Sequence, residues 1–542
     1  MKNIAIVLGL LFCSCNNYID VAELRVLDAE SSIVEIRGVV SGVFQEKNQI
    51  GGFYLQDSRY FYKQSVFVNS DEPVVLGDEV ILKAKVIEVK NETQLNDVEL
   101  LKTVSHNHLI KVEQLSFPVS NEQLEELEGC LVEIKDELQI SDSYQFNKYG
   151  QLLLSSSQLM QETEVFDAQD KALEIADLSS QQAHNSIFVD DLSNMKFPVL
   201  DSLYIDPLKV VVGAKCSSVK GFVSQYKDNY KIRLLDDIYT VNTPVTDSIN
   251  LRSDLRIMNY NLHNLFNGNG NKEGFPTERG AKTYDKYLLQ MKKLAEAIYA
   301  VDPHILAMME LENDGEDEFS SIQQFCDYLN LNGNRNYKIA ATNGLVGDNL
   351  IKTGIIYDPN VVEAEHKAQY HNHSVFSRPP LFQRFTYKDS LEFVLSANHF
   401  KSKSPRNAQG LDVDQKDGQA SYNNKRNLQA KALLGIIDSL YFDENILVLG
   451  DFNAYTSEDP IQTLQSSNLS RLETNAHSYV YKGKMGNLDH VFVSDNFRNR
   501  IEEVKTWNIN AIYPNWIDYR HQLADSSYYR SSDHNPIIIG IN

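Results

Sequence analysis

Basic residues are in short supply along this chain: 51 lysines and arginines stand against 74 acids, for a formal net charge of -23. That balance excludes a protein that coats nucleic acid non-specifically, because such affinity comes mostly from lysine and arginine displacing counterions from phosphates. Any contact with nucleic acid must be local, one basic groove on an acidic body. Cysteine is scarce as well. Of five in 542 residues, Cys13 and Cys15 fall in the first stretch, and Cys130, Cys216 and Cys326 remain. They are odd in number and lack metal-type spacing. They read as small buried residues rather than a disulfide framework, with a Cys130–Cys216 bridge left open. Long apolar runs are missing too: "IAIVLGLLF" is too short to span a bilayer, and no other stretch is long and apolar enough. What is present, 542 residues at 42% hydrophobic, is enough to bury several cores. Ordinary domain size predicts two to four domains.

The amino terminus reads as an address. Lys2 gives a short positive region, the apolar run follows, and small Ser14 precedes Cys15, as in a secretory signal. The stretch "LFCSC" resembles a bacterial lipobox. That resemblance implies cleavage before Cys15, lipidation of its thiol, and export to the outer membrane or cell surface. An ordinary cleaved signal or a buried first helix are the plainer readings.

From about 21 to 118 the text is short β-rich runs such as "SIVEIRGVVSGVF" and "DEVILKAKVIEV", separated by turn signals "NQIGG" and "LGDEV". That is how a small closed or Greek-key barrel reads, similar to an OB-like module. A second β-rich region, 119 to 248, is interrupted by a polar stretch around "DAQDKALEIADLSSQQAHNS". Phe53, Tyr54, Tyr60 and Tyr62 have the ring faces on which bases stack, but a barrel core also needs aromatics, and no basic stripe accompanies them. The plainer reading is core.

After "TPVTDSINLRS" the grammar changes, and from 251 to 542 helical patterns alternate with apolar strands. "LRIMNYN", "HILAMME", "EFVLSANHF", "ILVLGD", "LDHVFVS" and "PIIIGIN" read as buried strands that need helices on their outer faces. Polar residues recur at their ends. Asn261, Glu310 and His399 end or nearly end strands, and Asp451 with Asn453 follows "ILVLG". Asp533 and His534 precede the last strand, so an antiparallel course would carry them to the same rim. Asp489 lies early in "LDHVFVS". Singly, each has a bland alternative, since Asp and Asn close turns; jointly they mark a site.

The segments "MNYNLHNLF", "MMELEND", "TGIIYDP", "NHFKSK", "GDFNAYTSEDPI", "GNLDHVFVS" and "YRSSDHNP" occur in the order found in the endonuclease/exonuclease/phosphatase superfamily, and the chain resembles it over about 251 to 542. "GGFYLQD" and "NHFKSK" resemble the bacterial extracellular nucleases of that family. The resemblance implies an α+β fold, a four-layered sandwich of two packed β-sheets flanked by helices, with the site at one end. It implies that Glu310, helped by Asn261, holds a divalent metal, that Asp533 is a further metal ligand or site acid, and that Asn261 also contacts substrate. Asp451 and Asn453 would position water and phosphate, His534 oriented by Asp489 would be the general acid/base, and His399 a second histidine.

The chemistry agrees with those residue types. Hydrolysis of an anionic phosphodiester needs a cation to neutralise charge, a base to take a proton and an acid to protonate the departing oxygen. Glu310, Asp451 and Asp533 are hard oxygen donors suited to Mg²⁺, with Mn²⁺ or Ca²⁺ as alternatives. A carboxylate on the far nitrogen of a histidine fixes its tautomer. Lys401, Lys403 and Arg426 are expected to contact substrate phosphates, together with Arg378, Arg384, Arg406, Lys425 and Lys431.

Two departures stand out. Where the extracellular nucleases read Gly-Gln-Gly-x-Trp-Asn, this chain has "GQASYNNKR", keeping Gln419, Asn423 and Arg426. No clear carboxylate matches the one that orients the second histidine; Asp348 is nearby in a shifted register. The expected function is an endonuclease on DNA, with RNA also open and no protein partner evident. Another phosphoesterase, acting on a phospholipid head group or a phosphomonoester, and an inactive surface-binding protein are the competing readings. Segment 251 to 542 is expected to fold alone.

Overall fold

A computed structural model of the chain describes residues 18–24, 32–59, 64–200, 203–244, 248–342, 346–521 and 523–542. The signal segment with Cys15, and Tyr60 and Tyr62, lie outside the described residues. Among the described residues no helix is long and apolar enough to cross a membrane.

The first β-rich region closes on itself. Strands Ile33–Phe44, Gly52–Gln56, Ser65–Asn69, Glu92–Ser105 and Glu79–Val89 pair in that order, and the last pairs back onto the first. Closure removes the free edges an open sheet would leave. Val40, Phe53, Leu55, Val68, Leu82 and Leu95 fill the interior. Tyr54 is fully buried and stacks on Phe222 of the next region with centroids 4.1 Å apart, so Phe53 and Tyr54 are core and present no platform to a base. The second region is a nine-stranded sheet with Glu113–Leu115 at one edge and Thr240–Asn242 at the other. Cys130, Cys216 and Cys326 are buried thiols, and no Cys130–Cys216 bridge forms.

From Leu255 the chain builds two six-stranded sheets. In the first, Leu255–Leu265 lies between Ile305–Glu312, parallel to it, and Ile537–Ile541, antiparallel to it. In the second, Leu391–His399 and Ile446–Asp451 run parallel at the centre, and Asp489–Ser494 runs antiparallel beside them. Residue alternation sorts the side chains between layers. Leu255, Ile257, Ile305 and Ala307 meet Leu447, Leu449, Val491 and Val493 between the sheets. Met258, Tyr260, Leu306 and Met308 point the other way, under helices Tyr284–Val301 and Ser321–Asn332. Ile446 and Val448 point out under helices Asn423–Leu440 and Asp459–Gln465. Strands covered on both faces read as unbroken apolar runs, which is why "HILAMM" and "ILVLG" show no alternation. The result is a helix, sheet, sheet, helix sandwich.

The sandwich packs against the region before it through side chains that lie within 251 to 542. Trp516 and Ile512 are buried among the side chains of the nine-stranded sheet. The Trp516 Nε1–H donates to the Pro207 carbonyl at 3.2 Å, and its ring lies 5.0 Å from Phe146. Strand Leu159–Met160 also pairs in parallel with Lys484–Gly486. The physical reason is that a large apolar side chain in an irregular loop has to be covered by whatever packs beside it, and here that is the neighbouring sheet.

Candidate active site

Strand direction brings the polar ends together. His399 is the lateral partner of Asp451, and Asp451 of Asp489, so three functional side chains stand abreast on one sheet. On the other sheet the parallel pair Leu255–Leu265 and Ile305–Glu312 carries Asn261 and Glu310 to the same rim. The antiparallel strand Ile537–Ile541 starts there, with His534 just before it.

Asp451 is the point where the sheets meet. Asn261 Nδ2 donates to Asp451 Oδ2 at 3.1 Å, and the Asn453 backbone N–H donates to Oδ1 at 2.9 Å. His399 Nε2 is 3.5 Å and His534 Nε2 is 4.0 Å from the same Oδ2. Burial pushes the Asp451 carboxyl up to about 7, against the pull of the His534 charge. The chain reaches this position through Gly450 at φ 147°, where a Cβ would sit 2.0 Å from the Asn398 carbonyl oxygen. Glycine is required there by that close approach. Beyond it Asn453, at φ 49°, donates from Nδ2 to the Phe400 carbonyl at 3.2 Å.

Glu310 is aimed by a break in the ladder. Asn261 pairs with Met309 and the next pair is Leu265 with Leu311, so three residues bulge opposite one. His263, Asn264 and Glu310 all adopt the left-handed region, at φ 55°, 60° and 63°. Each such conformation costs on the order of 1–3 kcal/mol and persists where surroundings dictate it, commonly at functional sites. The bulge brings Asn264 Nδ2 to within 2.5 Å of Glu310 Oε2.

His534 Nδ1 lies 2.7 Å from Asp489 Oδ2. An ionised carboxylate only accepts, so Nδ1 carries the proton and Nε2 faces the rim. Burial opposes a charge on this ring, but the Asp489 and Asp451 carboxylates hold it well above the ordinary histidine value. Tyr479 packs over it at 4.7 Å. Burial likewise opposes a charge on Asp533, yet His263, His534 and Arg530 hold that carboxyl well below its usual range. His263 Nδ1 lies 3.7 Å from Asp533 and 3.5 Å from Asp518.

His399 is held differently from His534. Its ring has Arg378 Nη1 at 3.0 Å from Nε2, while Nδ1 is buried with no partner. A guanidinium only donates, so Nε2 accepts and the proton sits on Nδ1. Burial, then Arg378, His534 and Arg279, hold the ring well below its ordinary value, and it is neutral. Asp348 is exposed, and the buried Nδ1 of His399 has no carboxylate on it.

Two of the expected phosphate contacts are interior instead. Arg426 is fully buried and donates to the carbonyls of Gln419 at 2.7 Å and Ser421 at 2.8 Å. Lys403 Nζ is bound by the buried Glu458 at 2.6 Å from both oxygens and by the Gln419 carbonyl at 3.0 Å. Both hold the loop that follows Asn453, because a buried Glu458 needs cations beside it. Gln419 and Asn423 serve the same loop through Asp459. Arg384 is paired with Glu444. What remains beside the rim is Lys401 with Arg279, Arg378 and Lys425, whose mutual repulsion, after burial, lowers the Lys401 pKa. No motif in the sequence marks Asn264, Arg279 or Tyr479. A second asparagine three residues after Asn261 was the available signal for the first.

Among the described residues no group of three or more His, Cys, Asp or Glu side chains forms a metal cage. Glu310 nevertheless fits a hard cation. Beside it Asn264 Oδ1 is buried without a partner, and magnesium commonly takes one or two carboxylates and fills the rest with water and phosphate oxygens.

A two-sheet sandwich with a carboxylate, a carboxylate-bound histidine and hard oxygen donors at one rim defines a hydrolase fold for phosphoesters. Residues 258–534 match the Endonuclease/Exonuclease/phosphatase family, and the chain belongs to it. Its members are phosphoesterases, generally dependent on a divalent metal. Similar solved structures include the human nocturnin catalytic domain with bound sulfate, at 16% identity over 54% of this chain and 95% of that one, with a TM-score of 0.34. An endonuclease/exonuclease/phosphatase from Bacteroides vulgatus is 11% identical over 54% of this chain and all of that one, at 0.35. A Bacteroides thetaiotaomicron mannosyl-6-phosphatase is 12% identical over 53% and 100%, at 0.33. No curated protein matches the chain.

Proposed function

We propose that the protein is a divalent-metal phosphodiesterase that cleaves nucleic acid, DNA foremost, outside the cell. The observation that carries the reading is the buried Asp489–His534 pair, 2.7 Å apart, with its free nitrogen turned to Asp451. A carboxyl pushed up to about 7 takes a proton from the attacking water, and Asn261 and the Asn453 N–H hold its orientation. As the new P–O bond forms and the ester P–O bond breaks, charged His534 gives its Nε2 proton to the leaving oxygen, and Asp489 stabilises the charged ring beforehand. Glu310 would hold the divalent ion, which when bound would supply charge neutralisation on the phosphate. Arg279, Lys401 and Lys425 supply the local positive surface that a backbone of phosphates needs on an acidic molecule, and buried Arg378 adds its charge from beneath.

One observation favours a second reading. With Arg426 and Lys403 turned inward, the basic surface is short, which also suits a small phosphomonoester. Export and a lipid at Cys15 rest on the sequence pattern alone; Cys15→Ala should release the protein from membranes, and absence of lipid label on the wild type ends that proposal. The deciding assay puts purified protein on plasmid DNA, RNA, sphingomyelin and p-nitrophenyl phosphate with and without chelator. Chelator-sensitive cleavage of DNA is expected, and turnover of p-nitrophenyl phosphate alone overturns the nuclease reading.

A further inference from the structure

Among the contacts that join the region before the sandwich to the active-site loops, one buried carboxylate touches both loops at once. Glu164 lies in the short helix Glu162–Val165, and its side chain is 8% exposed. It collects four donors, all from the sandwich. Oε2 accepts the Thr456 N–H at 3.1 Å and the Asn487 N–H at 3.0 Å; Oε1 accepts the Thr456 hydroxyl at 2.7 Å and Asn487 Nδ2 at 2.8 Å. Thr456 stands three residues after Asn453, and Asn487 two before Asp489. Neither is inside a strand ladder, so no sheet hydrogen bond fixes it.

The surrounding contacts point the same way. The Ser457 N–H donates to the Thr163 carbonyl at 2.9 Å, and the Thr163 hydroxyl donates to buried Glu458 at 2.8 Å. On the other loop, Asn487 Oδ1 accepts the Ser478 N–H at 3.0 Å. Ser478 Oγ in turn accepts the N–H groups of Leu488 and Asp489 at 3.0 and 3.1 Å. A connected set of hydrogen bonds thus runs from Glu164 to the backbone of the residue that orients His534.

We propose that Glu164 is a positioning residue: it clamps the two loops that carry Asn453 and Asp489, so that the preceding region sets the catalytic rim. The role rests on the phosphoesterase reading given above. A carboxylate suits the position because every partner is a donor. Glutamine at the same place turns its own NH₂ against one pair of them, and alanine leaves all four without their acceptor.

The test uses the full chain with Glu164→Gln, Glu164→Ala and Glu162→Ala. The last removes the Glu162–Lys484 ion pair across the same boundary and leaves the Glu164 acceptor in place. Outer-shell partners of a site typically account for about ten- to a hundredfold in activity. Glu164→Gln should therefore lower kcat on that scale with KM little changed, and speed amide exchange at Asn453, Thr456 and Asn487. Glu162→Ala should leave both near wild type. If Glu164→Ala fails to fold, Glu164→Gln carries the comparison. Wild-type kcat and wild-type exchange in Glu164→Gln, or equal losses in Glu162→Ala, would overturn the proposal. Exchange is read without turnover. A wild type inert on every phosphoester would thus sink the phosphoesterase reading, while the exchange data still decide whether Glu164 holds the loops.

Discussion

Asn261 and Asp451 join the two sheets of the sandwich at the catalytic rim, Nδ2 to Oδ2 at 3.1 Å. The bond makes the orientation of Asp451 depend on both sheets at once. Asp451→Asn keeps the shape and removes the base, in a site where burial already pushes the acid up to about 7. Turnover should fall by about a hundred- to ten-thousandfold, the usual contribution of a general acid or base. Circular dichroism and thermal midpoint should stay near wild type. A folded Asp451→Asn protein with wild-type turnover would remove Asp451 from the mechanism.

Glu310 should show its role through the ion. Glu310→Gln keeps an acceptor for Asn264 and lowers the charge of the donor set. The Mg²⁺ concentration for half-maximal activity should rise, with part of the lost rate recovered at high Mg²⁺. Titrating the ion against initial rate checks this; a rate loss that no concentration of Mg²⁺ restores would assign Glu310 to something other than holding the metal.

The two histidines should separate. His534 has a carboxylate behind it and a free Nε2, whereas the Nε2 of His399 is occupied by Arg378. His534→Ala should lose about a hundred- to ten-thousandfold in turnover. His399→Gln keeps an acceptor for Arg378 and should lose no more than about tenfold, below the usual range for a proton-transfer group. A loss in His399→Gln as deep as that in His534→Ala would restore the two-histidine site.

Much of this arrangement was legible before any coordinates. The buried strands and the polar residues at their ends were readable because apolar runs and strand direction are sequence properties. The left-handed turn at Glu310 was not, since nothing in "MMELEND" announces φ 63°. The inward course of Lys403 and Arg426 was hidden for a different reason. A lysine among lysines reads as surface, and only the burial of Glu458 makes it a counterion. Trp516 shows the same limit: its partners Phe146 and Pro207 are hundreds of residues away in sequence.

His304 tests the electrostatics of the fold apart from the chemistry, because it stands at the opposite end of strand Ile305–Glu312 from Glu310. Its Nδ1 accepts the Arg256 N–H at 2.9 Å, so the neutral ring is built into the strand. Burial, helped by Arg335 and Arg256, lowers its pKa from 6.5 to about 4. The unfolded chain therefore binds this proton first as the pH falls. The contribution to stability is complete above about 6.5, declines through the window from 6.5 to 4, and is lost below it. His304→Asn retains an acceptor for the Arg256 N–H and does not titrate. It should flatten the fall of the thermal midpoint between pH 6.5 and 4 and leave turnover at neutral pH unchanged. An acid limb as steep as that of the wild type would show that other groups, and not His304, set the acid stability of the sandwich.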